Sequence, residues 1–270
     1  DLFVNLCDGE PDEDLAGIAV IERLEWHGVP FTGPRSRMYR LGSSRQLLKQ
    51  TCLSAGVGTP RYVFWDGEGP LHVPLRRPLI VKPPSGYASI GIERTSRVTT
   101  ERELQAACER TLARFGGVLL EEFIEGREFT VFVAEPVRSG DSPLVFPPIE
   151  IVFPPGETFK HFDLKWQDYE QLGSRVVSDP ALNAELQRMV QRLMVAMEGV
   201  GYCRCDIRMD DEGRLYLLDC NVPPGLFYPE NSYGSADFSV SSIPFGHRRL
   251  LQHMIACAFH RTAVLSAASA

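Results

Sequence analysis

Residues 201–221 have the sequence GYCRCDIRMDDEGRLYLLDCN, in which two alternating runs flank Asp-Glu-Gly. Alternation around a glycine-containing turn predicts a β-hairpin. If Glu212 and Gly213 are the central turn residues, Asp206 lies opposite Asp219, whereas a three-residue turn would shift that register. One face of the hairpin then carries Arg204, Asp206, Asp219 and Asn221. The other face carries Cys203, Cys205, Ile207, Tyr216, Leu218 and Cys220.

The polar face of this hairpin places two carboxylates directly opposite each other. Like charges in that position destabilise a sheet unless something compensates them. A divalent cation does so, and Asp206, Asp219 and Asn221 supply the hard oxygen ligands that suit Mg²⁺. The alternative is a solvated face on which Arg204 and Arg208 neutralise the acids. Since the opposite face is apolar, we interpret its cysteines as core packing rather than as a metal–thiolate site.

Basic residues upstream of the hairpin are candidates for binding phosphates. Lys82 ends an apolar strand, and the loop 83–91, which contains glycine and serine, follows it. Backbone N–H groups of such a loop can face a phosphate, although a strand-ending lysine beside a flexible loop is the simpler interpretation. Arg45 and Lys49 share one side of the helix predicted over 43–55, which on its own indicates a solvated face. The chain has neither a P-loop nor a dinucleotide-binding glycine motif.

The other elements form a mixed α and β pattern. Glu121 and Glu122 follow a buried strand directly, which indicates either a hinge that binds a sugar hydroxyl or plain surface. Residues 136–178 contain six prolines and predict a long connection of the kind that often serves as a lid. The remaining predicted elements are strands at 2–6, 78–82, 117–124 and 127–135 and helices at 14–27, 100–114, 180–198 and 247–263.

Composition narrows the classes of function. The 270 residues are 44% hydrophobic and 23% charged, as in ordinary globular proteins. The net charge of -7 argues against nucleic acid or an anionic membrane as a partner, since both attract basic surfaces. No apolar run approaches the roughly 18 residues of a membrane span. Seven cysteines without a C-x-x-C pair predict reduced thiols and a cytoplasmic location.

Five short motifs occur in one order along the chain. They are Asn5-Leu6-Cys7-Asp8-Gly9; Gly28-Val29-Pro30-Phe31-Thr32-Gly33; Ile80-Val81-Lys82-Pro83 with Ser89-Ile90-Gly91-Ile92; Glu121-Glu122-Phe123-Ile124 with Gly126-Arg127-Glu128-Phe129-Thr130-Val131; and Arg204-x-Asp206 followed by Asp219-x-Asn221 and Pro224-Gly225. Together they resemble the ATP-grasp superfamily and, within it, the D-alanine–D-alanine ligase family. The resemblance extends over nearly the whole chain.

This resemblance implies a fold and a domain organisation. The fold class is α+β / α/β: an ATP-grasp fold, in which two α+β lobes clasp ATP, preceded by a partial N-terminal βαβ domain. We therefore expect that partial domain over 1–42, the central lobe over 43–125, and the C-terminal lobe with the metal and substrate site over 126–270.

The resemblance also assigns roles to individual residues. ATP would be bound by Arg45, Lys82, Ser89, Glu121, Glu122, Phe123, Ile124, Glu128 and Lys165. In that set, Lys82 and Arg45 hold the α- and β-phosphates, and Lys165 lies near the γ-phosphate. The metal, Mg²⁺ with Mn²⁺ as a substitute, would be held by Asp206, Asp219 and Asn221. Arg204 and Lys165 would be the catalytic residues, with Arg204 stabilising negative charge on the reacting carboxyl.

The chain departs from the family pattern at several positions. Arg45 replaces a lysine, and Asp219 replaces a glutamate that is one methylene longer. The loop after Asn221 carries Phe227, Tyr228 and Glu230 instead of small hydroxyl residues, which predicts a different acceptor substrate. We expect Gly225, Leu226, Tyr228 and Glu230 to border the substrate pocket.

The expected activity is therefore an ATP- and Mg-dependent carboxylate–amine ligase that acts on small amino-acid-like substrates through an acylphosphate. One alternative is a true D-alanine–D-alanine ligase. Another is a nucleotide-binding protein without catalysis, because the family's first strand and helix have no counterpart in this sequence. That gap predicts either a fragment or a different way of holding the first substrate. The resemblance also implies a homodimer.

Overall fold

The computed structural model describes residues 1–7, 17–86, 89–166 and 171–268. Within these ranges the chain forms eight α-helices and ten strands. The helices are α1 (Ile18–His27), α2 (Ser36–Ser43), α3 (Arg45–Ser54), α4 (Glu101–Phe115), α5 (Phe162–Trp166), α6 (Pro180–Ala196), α7 (Ser235–Ser241) and α8 (Gly246–Ala268). The strands are β1 (Tyr62–Trp65), β2 (Leu79–Lys82), β3 (Arg97–Val98), β4 (Val118–Glu122), β5 (Arg127–Ala134), β6 (Leu144–Val145), β7 (Ile149–Val152), β8 (Gly173–Val176), β9 (Tyr202–Met209) and β10 (Leu215–Asn221).

The first sheet has four antiparallel strands in the order β1-β4-β2-β3. Helix α4 packs on it and buries Leu104 and Cys108 against the strands. The helix begins with a capping box, in which Thr100 and Glu103 each accept a bond from the other's backbone N–H. It ends at Gly116, whose φ of 70° suits glycine. The predicted helix over 100–114 is thereby confirmed.

The second sheet is larger and carries the hairpin. Its order is β10-β9-β5-β7-β8, with β6 paired to β5, and neighbouring strands run antiparallel. Helices α3 and α6 bury their apolar sides against one face of this sheet. Strands β7 and β8 lie inside 136–178, so the prediction of a long connection there is wrong in part. Proline pairs at 147–148 and 154–155 flank β7, which confines it to a run of four residues.

The N-terminal segment differs most from expectation. Helix α1 is confirmed, and Gly28 ends it with a φ of 65°. The predicted buried strand at 2–6 is wrong: Phe3 is 51% exposed and makes only a parallel bridge to Phe31. Three apolar residues in a row indicated a strand, but among the described residues this segment pairs only with the chain around Phe31. Helix α2 was not predicted, because its sequence SRMYRLGS is short and strongly polar.

Helix α3 packs against elements that lie beyond the predicted boundary between the two lobes at residues 125 and 126. Leu48 and Cys52 are fully buried in the core of the second sheet, together with Ile207 and Leu217. The predicted division, which places α3 in the central lobe over 43–125, stays a prediction. A sequence pattern shows an apolar helix face but not the sheet on which that face packs. Among the described residues, no helix is both long and apolar enough to cross a membrane.

Candidate active site

A cavity of about 160 Å³ lies between the two sheets. From the first sheet its wall takes Lys82 and Glu121, and from the second it takes Glu128, Arg204 and Asp206. These are among the residues that the sequence pattern and the resemblance selected. These five residues therefore come together, although they are up to 124 positions apart in the chain.

The hairpin brings the two carboxylates opposite each other as predicted. Asp206 pairs with Asp219 across β9 and β10, and Arg204 pairs with Asn221. Arg204, Asp206 and Asp219 line the cavity. Arg208 does not neutralise these acids but turns to Glu128, and Asp206 is only 9% exposed. The alternative is therefore wrong about solvation and about Arg208, whereas the pairing of Arg204 with Asp206 that it included is present at 2.9 Å.

A bulge at Leu218 makes this pairing possible. Near the turn, Leu217 pairs with Ile207, and the register shifts before Asp219. Because a bulge inserts one residue, the side chains before it change faces. Leu217 is thus fully buried in the core and Leu218 lines the cavity, which corrects the prediction that Leu218 faces the core. The backbone of Leu217 is held from outside the hairpin, since its N–H donates to Gly58 at 2.8 Å.

Three buried thiols lie behind the polar face of the hairpin. The sulfurs of Cys203, Cys205 and Cys220 are within 4.8 Å of one another. Hydrogen bonding with Cys203, together with burial, raises the pKa of the Cys205 thiol well above its usual value. We interpret the three thiols as neutral packing groups, in agreement with the sequence pattern.

A buried carboxylate on the first sheet is shared by two lysines. Glu121 is 1% exposed, and its oxygens lie 2.5 Å from Lys49 Nζ and 2.6 Å from Lys82 Nζ. Burial alone would raise the pKa of Glu121, but the two ammonium groups outweigh it and lower the pKa to about 2. Burial also lowers the pKa of Lys49. Lys49 was not among the predicted site residues; its spacing of four from Arg45 was the available signal.

A second buried carboxylate, on β5, contacts two cations. Glu128 Oε1 lies 2.9 Å from Lys160 Nζ, and Glu128 Oε2 accepts from Arg208 Nη2 at 3.0 Å. Arg208 also donates to the carbonyl of Ile124 at 2.8 Å and to the carbonyl of Thr158. It thereby connects the end of β4 with the segment that precedes α5. Neither Lys160 nor Arg208 was predicted as a site residue, since no local pattern marks them.

Arg45 is nearly inaccessible, which corrects the interpretation of a solvated helix side. It is 1% exposed and donates to the carbonyls of Pro83 at 2.9 Å and Ser85 at 3.0 Å. It also lies 3.2 Å from Asp219 Oδ2. Arg45 thus fixes the loop after β2 beside the hairpin. Its assigned contact with phosphate stays a prediction.

The segment after β4 forms an aromatic wall. Phe123 packs edge-to-face on Phe159 with ring centroids 5.7 Å apart, and both line the cavity with Ile124. Glu122 accepts from the backbone N–H of Arg76 at 2.9 Å. An apolar, aromatic stretch of the cavity wall suits a planar base such as adenine.

The other predicted residues have mixed outcomes. Ser89 lines the cavity, whereas its neighbour Ala88 lies outside the described residues. Lys165 lies in α5, but its side chain is outside the described part of the chain. The predicted substrate residues Gly225, Leu226, Tyr228 and Glu230 do not appear in the wall of the described cavity, and Gly234 and Ser235 take part in it instead. The path of the loop after Asn221 depends on contacts distant in sequence, because the Phe227 N–H donates to buried Asp237 at 2.9 Å.

The donor set of the hairpin fits a divalent metal ion. Two carboxylates and one amide oxygen on a single face are hard ligands of the kind that Mg²⁺ binds. The side chain of Asp219 is 24% exposed and reaches the cavity. Four positive groups of the cavity wall lie near these acids, namely Lys82, Lys160, Arg204 and Arg208. Together with Lys49 and Arg45 they make this region locally basic in an acidic protein, which suits an anionic ligand.

Comparison with known proteins identifies the family. A family model described as D-ala D-ala ligase C-terminus matches residues 71–232, which is more than half of the chain. The chain belongs to this family. Its relatives include the D-alanine–D-alanine ligase of Cupriavidus taiwanensis, which is 30% identical over 210 residues, or 75% of this chain and 61% of the relative. The D-alanine–D-alanine ligase of Chromohalobacter salexigens is 31% identical over 81% of this chain and 65% of its own length.

Solved structures of a D-alanine–D-alanine ligase and of a D-Ala:D-Ser ligase share the fold. The Bacillus anthracis enzyme complexed with ATP has a TM-score of 0.76 at 21% identity and covers 97% of this chain and 80% of its own. The VanG D-Ala:D-Ser ligase of Enterococcus faecalis has a TM-score of 0.73 at 21% identity and covers 96% and 73%. The predicted ATP-grasp fold is thereby confirmed. The chain spans slightly less than two thirds of the length of the curated relatives named above.

Proposed function

We propose that this chain carries the ATP-binding and catalytic part of an ATP-dependent carboxylate–amine ligase. The single observation that carries the proposal is the cross-strand pair of Asp206 and Asp219 on the cavity wall, with Arg204 beside it and Lys82 opposite. Membership of the D-ala D-ala ligase C-terminus family supports it. In this proposal the metal is Mg²⁺ or Mn²⁺, and its protein ligands are the side-chain oxygens of Asp206, Asp219 and Asn221.

In the proposed reaction a substrate carboxylate attacks the γ-phosphorus of ATP, and ADP leaves. The acylphosphate that results is attacked at its acyl carbon by an amine, which loses a proton, and inorganic phosphate leaves with the bonding electrons. A divalent ion at the hairpin would neutralise charge on the transferring phosphoryl group. The protein needs no nucleophile of its own for either step.

The residues of the cavity have distinct tasks in this proposal. Lys82, held by Glu121, presents an ammonium to the α- and β-phosphates. Arg204, which lies 2.9 Å from Asp206 Oδ2, faces the reacting carboxyl and stabilises the charge that develops there. Phe123 and the backbone of Ile124 bind the base, while Glu121 contributes to its recognition. Burial strengthens each of these electrostatic contacts, because water screens them less.

A D-alanine–D-alanine ligase is the second candidate, and the names of the curated relatives favour it. The loop with Phe227, Tyr228 and Glu230 distinguishes this chain from the family pattern, so we favour a different acceptor. We also propose a cytoplasmic location, on the ground of seven unpaired thiols, and a homodimer, on the resemblance alone. Cell fractionation and light scattering test these two points.

The deciding experiment uses purified protein with Mg²⁺-ATP and pools of L- and D-amino acids. ADP release and product masses are followed together. Amino-acid-dependent ADP, with a product equal to two substrates minus water, supports ligation. D-alanyl-D-alanine as the only product, with inhibition by D-cycloserine, would select the second candidate. Asp206→Asn is the matched inactive variant and should lower the rate at least about 100-fold.

Nucleotide binding is measured separately by equilibrium dialysis. If Mg²⁺-ATP binds without turnover under any substrate pool, the alternative of a nucleotide-binding protein without catalysis is favoured. If Mg²⁺-ATP neither binds nor turns over, both ligase interpretations fail.

A further inference from the structure

Asp206 is surrounded by hydrogen-bond donors. Its Oδ1 accepts from Thr130 Oγ1 at 2.7 Å and from Lys160 Nζ at 3.3 Å. Its Oδ2 accepts from Arg204 Nη2 at 2.9 Å and from Asn221 Nδ2 at 3.2 Å. A carboxylate has about four acceptor positions. The named donors therefore fill the carboxylate that the proposed function assigns to a metal ion, so that an ion has to displace one of them.

Lys160 is the donor best placed to leave. Thr130 is fully buried on β5, and Arg204 and Asn221 are fixed on the two strands of the hairpin. Lys160 instead lies on the connection between β7 and α5, and its bond to Asp206 is the longest of the four. Its second partner, Glu128 at 2.9 Å, also lines the cavity. The ammonium can therefore move away from Asp206 and still have a carboxylate nearby.

The use of lysine in this chain supports a specific task for Lys160. Of the 28 basic residues only four are lysines, namely Lys49, Lys82, Lys160 and Lys165, and the other 24 are arginines. Lys49 and Lys82 contact a carboxylate of the cavity wall, and Lys160 lines the cavity itself. A lysine is a compact point charge on a flexible stem, whereas an arginine is a wide planar fork. Such a compact group can exchange one anionic partner for another in a narrow cavity.

We propose that Lys160 is a tethered cation that occupies Asp206 while no divalent ion is bound, and that it exchanges this carboxylate for the phosphates of the nucleotide when the ion binds. The inference rests on the proposed function, because it takes ATP and a metal ion as the ligands. A divalent ion and an ammonium on the same carboxylate oxygen repel each other strongly. The ion alone therefore binds weakly, and the nucleotide strengthens its binding by giving Lys160 another partner.

The test measures binding of Mn²⁺ alone by the loss of the free-ion signal in electron paramagnetic resonance. The Lys160→Met variant keeps an unbranched stem and removes the charge, and it should bind Mn²⁺ about tenfold more tightly than the unchanged protein. Lys160→Arg retains a cation and should stay close to the unchanged protein. Arg175→Gln removes a surface charge that pairs with Glu150, away from Asp206, and is the matched control without effect.

Metal-free ATP binding gives the second measurement. In the presence of a chelator, Lys160→Met should bind ATP about tenfold more weakly, because the phosphates lose a cation. Lys160→Gln repeats both measurements in case the methionine variant does not fold, as judged by circular dichroism. Equal or weaker Mn²⁺ binding by the neutral variants would overturn the proposal, and so would unchanged ATP affinity. Failure of the unchanged protein to bind Mg²⁺-ATP would instead overturn the proposed function.

Discussion

Replacement of Glu121 by glutamine removes the one carboxylate that two buried lysines share. The variant keeps the shape of the side chain, so that packing against β2 changes little. Lys49 is 1% exposed and Lys82 is 5% exposed, and each lies within 2.6 Å of a Glu121 oxygen. After the change, two buried ammonium groups face each other across a neutral amide at the cavity wall.

The expected loss of free energy of unfolding follows from the burial of Glu121 and its two lysines. Removal of one partner from a buried ion pair costs about 3–5 kcal/mol, because the remaining charge stays desolvated. Two such charges remain in Glu121→Gln, so we expect the upper part of that range. For a chain of this size that loss corresponds to a fall of the melting temperature on the order of 10 °C.

Urea unfolding followed by far-UV circular dichroism at pH 7 measures the change. The adjacent Glu122→Gln is the matched control, since Glu122 pairs with the exposed Arg61 at 3.3 Å and should lose less than about 1 kcal/mol. A second variant, Lys49→Met in the Glu121→Gln background, removes one of the two unpaired charges. It should regain part of the lost free energy of unfolding.

The reasoning is refuted if Glu121→Gln loses no more free energy of unfolding than Glu122→Gln. It is also refuted if the double variant loses, relative to the unchanged protein, the full sum of the losses of Glu121→Gln and Lys49→Met alone. In either case the lysines would find solvent or other acceptors, and the cluster would not be a buried ion pair in solution.

Three further predictions concern stability. Leu217→Ala should lower the free energy of unfolding by about 2–5 kcal/mol, because Leu217 is fully buried. Leu218→Ala should lower it by under about 1 kcal/mol and raise KM for ATP, because Leu218 lines the cavity. Equal losses in urea unfolding would contradict the bulge at Leu218. The pKa of Glu121 is about 2 in the folded protein and 4.5 ordinarily, so its ionised form contributes fully to the free energy of unfolding above pH 5 and loses this contribution as the pH falls towards 2. The difference in free energy of unfolding between the unchanged protein and Glu121→Gln should therefore narrow over that range. A constant difference would contradict the pairing of Glu121 with the two lysines. Gly126→Ala places a Cβ against the Met209 carbonyl at a φ of 127°, so it should lower the free energy of unfolding by about 2 kcal/mol or more. An unchanged melting temperature would show that this contact relaxes.

The hairpin shows which parts of the site sequence reasoning can reach. Asp206 and Asp219 were placed opposite each other because alternation and a turn signal are local properties of the chain. The turn itself was placed incorrectly, and the bulge at Leu218 restores the pairing. That bulge accompanies bonds between Leu217 and the segment around Gly58, which is distant in sequence. The register was therefore right at the site and wrong at the turn.

The buried cations show which parts of the site sequence reasoning cannot reach. The sequence marks Lys49 only by its spacing from Arg45 and does not mark Lys160. Only the packing of separate elements brings these two lysines to Glu121 and Glu128. No periodicity reports such a contact, because the partners lie 72 and 32 positions away. The site was recognisable from its carboxylates, whereas the cations that balance them required the fold.

Because lysines are scarce in this chain, a reagent for primary amines can label the candidate site selectively. Arginine carries the ionic contacts at the surface, such as those of Arg37 and Arg214. Apart from a terminal amine, a reagent selective for primary amines therefore meets few competing targets on this chain. An aldehyde-bearing nucleotide analogue that forms an imine would react chiefly with Lys82, Lys160 or Lys165, and mass spectrometry of the reduced adduct would identify which one. In a protein with lysines spread over its surface, the same reagent would label mainly the outside.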